Sequence, residues 1–235
     1  MSNLVIGIEG LVGSGKTSIC RELIKKIPNS IILHGGNLYR GIIYSFMSKN
    51  KKINDNINLL SKNLKDIDIT ELMYKLNVEI KLENNETTIY VDGKKIQEEE
   101  LQSDKSSMAV SLAGKSANNE NLFLFARKLI DEWKKDYNVI VSGRSIMKIY
   151  PNLDYHFFIT ASLDERVNRK YNQYNGSLSK EELRAHIEKR DRLQQEAGFY
   201  EIYEKTIKLD VTDCISAKDS SDKLLECMKE YKITV

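Results

Sequence analysis

The sequence is poor in proline, tryptophan and cysteine, and it carries no excess charge of either sign. Two prolines and 12 glycines in 235 residues exclude collagen-like and low-complexity chains. A formal net charge of +2 provides no global field that would attract DNA or a membrane surface. No apolar run approaches the ~20 residues of a membrane-spanning helix. What remains is an ordinary soluble protein, long enough for one mid-sized domain or for a core with an insertion.

The few cysteines indicate a reducing compartment. Cys20, Cys214 and Cys227 are odd in number and form no C-x-x-C pair, which argues against a disulfide framework and against a zinc site. Cys20 falls within the first predicted helix, so we expect it to pack in the core. The first residues show neither a basic region nor a small-residue cleavage site, and we therefore expect a cytoplasmic protein.

Short apolar runs alternate with helical patterns along the chain. The first helix is predicted at residues 17–27, where Pro28 ends it; a long helix is predicted at 106–133, and the last one from residue 216 onward. The strand–helix–strand order implies parallel pairing, because a parallel crossover needs an intervening element. The predicted core strands are 4–8, 31–33, 138–141, 155–160 and 207–211. The pattern predicts an α/β fold with a parallel sheet flanked by helices.

A different periodicity interrupts this pattern in the first half of the chain. Apolar and charged residues alternate over 78–82, and a second strand is predicted at 87–91 after an Asn84–Asn85 turn. This small antiparallel piece indicates an insertion. We therefore expect a core of residues 1–39 and 112–235 with an inserted domain at 40–111.

Two predicted helices joined by a polar tip form a second distinctive segment. Ser162 and Glu165 make a capping box before the first helix, and Ser179 and Glu182 make another before the second. The tip between them, residues 175–177, reads Asn-Gly-Ser. Such a pair of helices is typical of a mobile lid, which we expect at about residues 163–185.

The strongest motif is a glycine loop directly after the first predicted strand. Residues 10–17 read G-L-V-G-S-G-K-T and fit G-x-x-x-x-G-K-[ST], the phosphate loop of P-loop NTPases. The glycines let successive N–H groups point at phosphate oxygens, and the following helix adds the positive end of its dipole. Lys16 is predicted to reach the β- and γ-phosphates, and the Thr17 hydroxyl to hold Mg²⁺. The predicted nucleotide site comprises Gly10, Gly13, Ser14, Gly15, Lys16 and Thr17.

The loop alone does not identify the reaction, because GTPase switches, ATPase motors and small-molecule kinases share it. A motor needs an acidic residue at the end of a neighbouring strand. The strand at 138–141 instead leads into Ser142-Gly143-Arg144-Ser145, without a carboxylate. The sequence therefore disfavours motor chemistry and favours a kinase.

A kinase must also neutralise the transferring phosphoryl group, for which arginine is well suited. Arg40 and Arg144 each follow a predicted core strand, where ligands bind in this architecture. Arg166 and Arg169 share one face of the first lid helix. The competing interpretation is that these arginines belong to ordinary solvated helix faces. Their positions, at the ends of core strands and on a predicted lid helix, favour a role in phosphate binding over this interpretation.

An ordered set of segments resembles the cytidylate kinases, a family of nucleoside monophosphate kinases. The family's D-[ST]-G-A-[MI]-Y-R segment is similar to G-N-L-Y-R at 36–40, its G-R-D-[IM]-G-T to G-R-S-I at 143–146, and its I-x-x-R-D to I-E-K-R-D at 187–191. Further similar segments are I-E-G at 8–10, Y-V-D-G-K-K-I at 90–96, residues 107–113, F-F-I-T-A-S at 157–162 and L-D-V-T at 209–212. The resemblance covers nearly the whole chain.

The resemblance implies Mg²⁺-dependent transfer of a phosphoryl group from ATP to CMP or dCMP. Arg40, Arg144 and Arg190 would hold the phosphate of the acceptor, and Ser111 would help to read the base. Lys16, Arg144, Arg166 and Arg169 would be the catalytic residues. The implied acceptor site comprises Tyr39, Arg40, Ser111, Arg127, Arg144 and Arg190. The expected partners are these nucleotides, with no nucleic acid and no membrane, and we expect a monomer.

Several positions depart from the family pattern. His34–Gly35 replaces an expected Asp, and Ser142 and Ser145 replace an Asp pair. Gln194 and Ala197 stand where acidic and arginine positions are expected. Two alternatives therefore stay open: a P-loop kinase with another acceptor, such as another nucleotide or a deoxynucleoside, and a nucleotide-binding regulator with weak turnover.

Overall fold

The computed structural model describes residues 3–59, 69–112 and 120–234, and within them all strands belong to one sheet. This sheet has eight strands in the spatial order β3-β4-β2-β6-β1-β7-β8, with β5 paired to β4. The strands are β1 Val5–Gly10, β2 Ser30–His34, β3 Val78–Glu83, β4 Glu86–Val91, β5 Lys94–Lys95, β6 Asn138–Ser142, β7 Tyr155–Thr160 and β8 Thr206–Asp210.

Helices connect the strands and cover the sheet. They are α1 Lys16–Leu23, α2 Gly35–Ser48, α3 Lys51–Asp55, α4 Ile69–Lys75, α5 Glu98–Gln102, α6 Asp104–Leu112, α7 Glu120–Trp133, α8 Ile146–Ile149, α9 Leu163–Gln173, α10 Lys180–Glu196 and α11 Ala217–Thr234, with a 3₁₀ turn at Ile57–Leu59. The first helix ends four residues before the predicted end, because the chain turns before Pro28 and residues preceding proline disfavour the α conformation. The helix predicted at 106–133 is represented by α6 and α7. Within the described ranges no helix combines the length and apolar character needed to cross a bilayer.

The five core strands pair in parallel, which confirms the predicted α/β class. All six residues of β1 are buried, because helices cover both faces of a parallel sheet. Ile6 and Ile8 pack with α1 and α11 on one face, whereas Val5 packs with α7 and α8 on the other. Cys20 is fully buried in the first of these cores, which confirms its predicted packing role. Burial raises the pKa of its thiol to about 12, so the thiol is inert.

The antiparallel hairpin of β3 and β4 extends the core sheet instead of standing apart from it. Asn84 and Asn85 adopt left-handed φ values of 51° and 63° at its turn. The N–H of Ile32 in β2 donates to the carbonyl oxygen of Asn85 at 2.8 Å, which joins the hairpin to the core edge. A Cβ on Gly41 would lie 2.4 Å from Ile89 Cγ2, so glycine at this position lets α2 pack closely on β4. The division of the chain at residues 40 and 111 stays a prediction.

The two lid helices begin at the predicted caps, but the caps differ. Ser179 and Glu182 form the complete capping box of α10. At α9, the Ser162 hydroxyl accepts from the N–H of Glu165 at 3.3 Å, but the box is only half formed. Its second half is missing because the Glu165 carboxylate pairs with Arg169. Glu165 thus orients Arg169 of the same helix, whose guanidinium reaches the phosphate loop at the carbonyl oxygen of Ser14.

Candidate active site

The predicted phosphate loop lies between β1 and α1, at the carboxyl end of the central strands. Gly10 has a φ of +148°, and a Cβ there would lie 2.1 Å from the carbonyl oxygen of Ile159. That oxygen accepts the N–H of Leu11 at 3.0 Å, so the loop is held against β7. Gly13 and Gly15 also have left-handed φ values, 77° and 92°, which curl the backbone. The loop therefore has the conformation in which main-chain amides can surround a phosphate.

The first turn of α1 is suited to an anion. The helix begins after Gly15 without a side-chain cap, which leaves its first amides and the positive end of its dipole for a ligand. Lys16 Nζ donates to the carbonyl oxygens of Gly10 at 2.9 Å and Leu11 at 2.8 Å, folding back over the loop. Burial, followed by the nearby Arg144 guanidinium, lowers the pKa of Lys16 well below its usual value. A bound phosphate would relieve both effects.

A cleft of about 610 Å³ opens from this loop. Its walls come from α2, the turn after β6, the lid helices α9 and α10, and residues 214–217 at the start of α11. The predicted site residues that line it are Gly13, Ser14, Gly15, Lys16, Thr17, Arg40, Arg144, Arg169 and Arg190.

Three arginines from separate elements converge in the cleft. Arg40 lies on α2, Arg144 follows β6 and Arg190 lies on α10. Burial, with the charges of Arg190 and Arg144, lowers the pKa of Arg40 to about 9. Its Nη1 donates to Asn37 Oδ1 at 3.0 Å, while its buried Nε has no hydrogen-bond partner among the described residues. Cations gathered in this way are stabilised by an anionic ligand between them.

The two lid arginines have different surroundings. Arg169 lines the cleft, where Nη1 donates to the carbonyl oxygen of Ser14 at 3.0 Å and Nη2 to that of Val211 at 2.7 Å. Arg166 is only 7% exposed. Its Nη1 donates to the carbonyl oxygen of Val12 at 3.0 Å and to Asp191 Oδ2 at 2.5 Å. Arg166 therefore supports the phosphate loop from behind, and of the two lid arginines Arg169 lines the cleft.

Two further predicted residues, Arg127 and Tyr39, do not line the cleft. Arg127 Nε donates to the carbonyl oxygen of Ile149 at 2.8 Å, so the side chain caps the end of α8. Tyr39 is 5% exposed within the apolar core of the insertion, and burial raises the pKa of its hydroxyl. Ser111 belongs to α6, but its side chain lies outside the described part of the molecule.

The positions that depart from the family pattern are all partly or fully enclosed in the structure. Gln194 accepts Arg144 Nε at 2.8 Å on its amide oxygen, and Ser142 is a buried residue of the cleft wall. Ser145 has a left-handed φ of 53° and precedes α8, whose first N–H, from Ile146, donates to the buried Glu9 carboxylate at 2.6 Å. Ala197 is buried at the end of α10.

Sequence reasoning missed an ion-pair network at the far wall of the cleft. His34 Nε2 lies 2.9 Å from Glu86 Oε2, and Arg21 Nε donates to Glu86 Oε1 at the same distance. Arg21 also pairs with Glu98 at 2.5 Å. Burial alone would raise the pKa of Glu86, but the hydrogen bonds from His34 and Arg21 outweigh it and hold the pKa at about 2. No sequence spacing signals this pairing, because Glu86 enters from the inserted hairpin.

A parallel sheet, a complete phosphate loop and an arginine-lined cleft beside it define a P-loop kinase acting on a phosphorylated small molecule. The profile of the family described as cytidylate kinase matches residues 6–230. The chain belongs to the cytidylate kinase family, whose members are ATP-dependent nucleoside monophosphate kinases.

Similar proteins match over most or nearly all of their length. A cytidylate kinase of Clostridioides difficile (strain 630) is 29% identical over 240 residues, covering 100% of this chain and 98% of that protein. A cytidylate kinase of Bacillus subtilis (strain 168) is 25% identical and covers 97% of both chains. A cytidylate kinase of Pseudothermotoga lettingae is 30% identical, with 82% of this chain and 78% of that protein covered.

Proposed function

We propose that the protein transfers the γ-phosphoryl group of ATP to CMP or dCMP, giving ADP and CDP or dCDP. The observation that carries this proposal is the convergence of Arg40, Arg144 and Arg190 in the cleft that begins at the phosphate loop. One end of the cleft suits a triphosphate, and the other suits the phosphate of an acceptor. Such an enzyme would act in pyrimidine nucleotide metabolism.

The reaction needs positioning and charge neutralisation, and no covalent enzyme intermediate. A phosphate oxygen of the acceptor attacks the γ-phosphorus, the bond from that phosphorus to the β,γ-bridging oxygen breaks, and ADP leaves with the bond's electron pair. Arg40, Arg144 and Arg190 would hold the attacking phosphate. Lys16 would leave the loop carbonyls and follow the charge on the β- and γ-phosphates, while Arg169 neutralises the donor from the lid side.

A divalent cation fits beside the loop. Thr17 lies in the first turn of α1 and lines the cleft next to Lys16, so its hydroxyl would hold Mg²⁺. When bound, Mg²⁺ would supply charge neutralisation for the phosphates of the donor. The described acidic residues of the cleft, Glu98 and Glu165, are already paired with Arg21 and Arg169.

The cellular setting is part of the proposal. We expect a cytoplasmic monomer that binds nucleotides and neither nucleic acid nor membranes. Its three cysteines are free, as is typical of a reducing compartment. The balanced charge of the chain, a net +2, also supports the absence of nucleic-acid and membrane binding.

The deciding experiment measures ADP release from Mg-ATP against CMP, dCMP, UMP, dTMP, AMP, GMP and the free nucleosides. We expect CMP or dCMP to give the largest kcat/KM. Faster turnover of another acceptor would confirm a kinase but assign it a different substrate. Gln194 and Ser145, which depart from the family pattern, favour this alternative. ATP binding without turnover of any acceptor would contradict the kinase proposal and favour a regulator.

A further inference from the structure

Two hydrogen bonds along one edge of its guanidinium fix the orientation of Arg144. Nε donates to Gln194 Oε1 at 2.8 Å, and Nη1 donates to the carbonyl oxygen of Gly143 at 2.9 Å. Among the described residues Nη2 has no hydrogen-bond partner, and the side chain lines the cleft. The planar fork is thus fixed on its protein side while the remaining donors are left for a phosphate.

Gln194 is itself fixed by a second contact. Its Oε1 accepts from Arg144 Nε, which can only donate, so the amide oxygen must point toward the arginine. The same oxygen lies 3.0 Å from the hydroxyl of Tyr200, whose single proton is shared between Gln194 Oε1 and Asp191 Oδ1. Gln194 is 6% exposed, so water competes little for either contact.

Tyr200 completes the support of the arginine. Its ring lies under the guanidinium, with 5.8 Å from the ring centroid to Arg144 Cζ, and packs edge-on against Phe158 at 5.7 Å. The hydroxyl is 2.5 Å from Asp191 Oδ1. Burial raises the pKa of Tyr200, so the hydroxyl stays a donor at every working pH.

Asp191 carries the connection to the phosphate loop. Its Oδ1 accepts the N–H of Val12 at 3.1 Å, and its Oδ2 accepts Arg166 Nη1 at 2.5 Å. Tyr200 therefore contacts two side chains with different roles. Asp191 binds the phosphate loop on the donor side, and Gln194 orients Arg144 on the acceptor side. Tyr200 belongs to neither the lid nor the phosphate loop, and it follows the end of α10 in irregular structure.

We propose that Tyr200 is a positioning residue of the phosphoryl transfer, which aligns Arg144 with the phosphate loop through its contacts with Gln194, Asp191 and the guanidinium. The inference rests on the proposed function, because it assumes that Arg144 binds the acceptor's phosphate. In-line transfer depends on the placement of both phosphates, so a small displacement of one clamp lowers the rate of the chemical step. Without the tyrosine hydroxyl, Asp191 still accepts hydrogen bonds from Val12 and Arg166, so ATP binding should change little.

The test compares Tyr200→Phe with Tyr203→Phe as a matched control, since the Tyr203 hydroxyl contacts Glu201 at the surface. With the best acceptor of the panel, Tyr200→Phe is expected to lower kcat/KM about tenfold, the effect of losing one hydrogen bond to a charged group. The KM for ATP should stay within about twofold. Tyr200→Leu, which also removes the ring beneath the arginine, is expected to lose more. Tyr203→Phe should match the wild type.

A double-mutant cycle shows whether Tyr200 acts through Arg144. If it does, Tyr200→Phe should lower kcat/KM by less than about twofold in an Arg144→Ala background, because the group that it positions is gone. Full additivity of the two losses would overturn the inference. A merely structural role would instead lower the thermal midpoint and affect both backgrounds equally.

The possible failures are distinguishable. Wild-type turnover with an unaffected Tyr200→Phe variant would overturn the positioning role and leave the kinase function standing. An absence of wild-type turnover with every acceptor, while ATP still binds, would overturn both.

Discussion

The two ends of the cleft are built in different ways. The donor end is one continuous segment, in which glycines and main-chain amides form the binding surface and Ile159 holds it in place. The acceptor end is assembled from side chains on separate elements, with Arg40 on α2, Arg144 after β6 and Arg190 on α10. A main-chain site depends on a backbone shape that few sequences adopt, whereas side chains can be exchanged one at a time. This difference explains why the phosphate loop fits its motif at every position while the acceptor end departs from the family pattern.

The two ends also differ in how their charges are satisfied. Lys16 has loop carbonyls as partners while no nucleotide is bound. Arg40 instead has a buried Nε without a described partner and a pKa lowered to about 9 by burial and neighbouring cations. The cations of both ends are thus buried with lowered pKa values, but Lys16 has hydrogen-bond partners in the loop, whereas Arg40 Nε has none among the described residues.

The largest expected effect concerns the donor end. Lys16→Ala should lower kcat at least about a thousandfold with every acceptor, because no other described side chain of the loop carries a positive charge. Lys25→Ala is the control, since Lys25 lies beyond the end of α1 and pairs with Glu22 at the surface. ADP release at saturating substrates is the measurement. Activity that survives the Lys16 change would refute the donor-end mechanism.

A second substitution tests whether the donor end depends on backbone shape. Gly10→Ala should destabilise the protein by about 3 kcal/mol or more, because the added Cβ would collide with the Ile159 carbonyl. Gly93→Ala is the control: it has a φ of +74° but nothing within 4 Å of the added Cβ, so it should cost only about 1 kcal/mol. Urea unfolding measures both values. Equal losses would show that the collision is relieved by a shift of the loop.

The acceptor end should show the opposite relation between stability and activity. Arg40→Met is expected to lower kcat/KM for the acceptor about a hundredfold, with little change in the KM for ATP. The same change should raise the free energy of unfolding of the nucleotide-free protein by about 1 kcal/mol, because it removes a cation facing Arg144 and Arg190. Arg192→Met, at an exposed position on the same helix as Arg190, should change neither quantity. A destabilised Arg40→Met protein would contradict the claim that the acceptor end is under charge repulsion.

The smallest expected effect concerns the ion pairs of Glu86 at the far wall of the cleft. The pKa of Glu86 is about 2 in the folded protein against an ordinary 4.5, so its charged form stabilises the fold above about pH 4.5, and this contribution is lost as the pH falls toward 2. Glu86→Gln should therefore lower the free energy of unfolding by about 2 kcal/mol at neutral pH and flatten its decline between these pH values. Glu99→Gln, at an exposed position of α5, is the control. An unchanged acid profile would show that His34 and Arg21 do not hold Glu86 in solution.

Much of the architecture could be predicted from local patterns. The strand at 155–160 has the predicted bounds, the hairpin turn lies at Asn84–Asn85, and Ser179 caps its helix as predicted. These features depend on apolar periodicity and on hydrogen bonds between residues a few positions apart. The complete phosphate loop has the same local character, so its position and backbone shape followed from eight consecutive residues.

The sequence by itself determined the α/β class, the phosphate loop and the family, because these depend on periodicity and on contiguous motifs. The tertiary structure alone decided which arginines face the ligand. Arg166 and Arg169 share a helix face, yet the first is buried behind the loop by Asp191 while the second lines the cleft. Likewise, the pairing of His34 with Glu86 and the support of Arg144 by Gln194 and Tyr200 join residues about 50 positions apart. Such partners are chosen by the packing of whole elements, which no local spacing records.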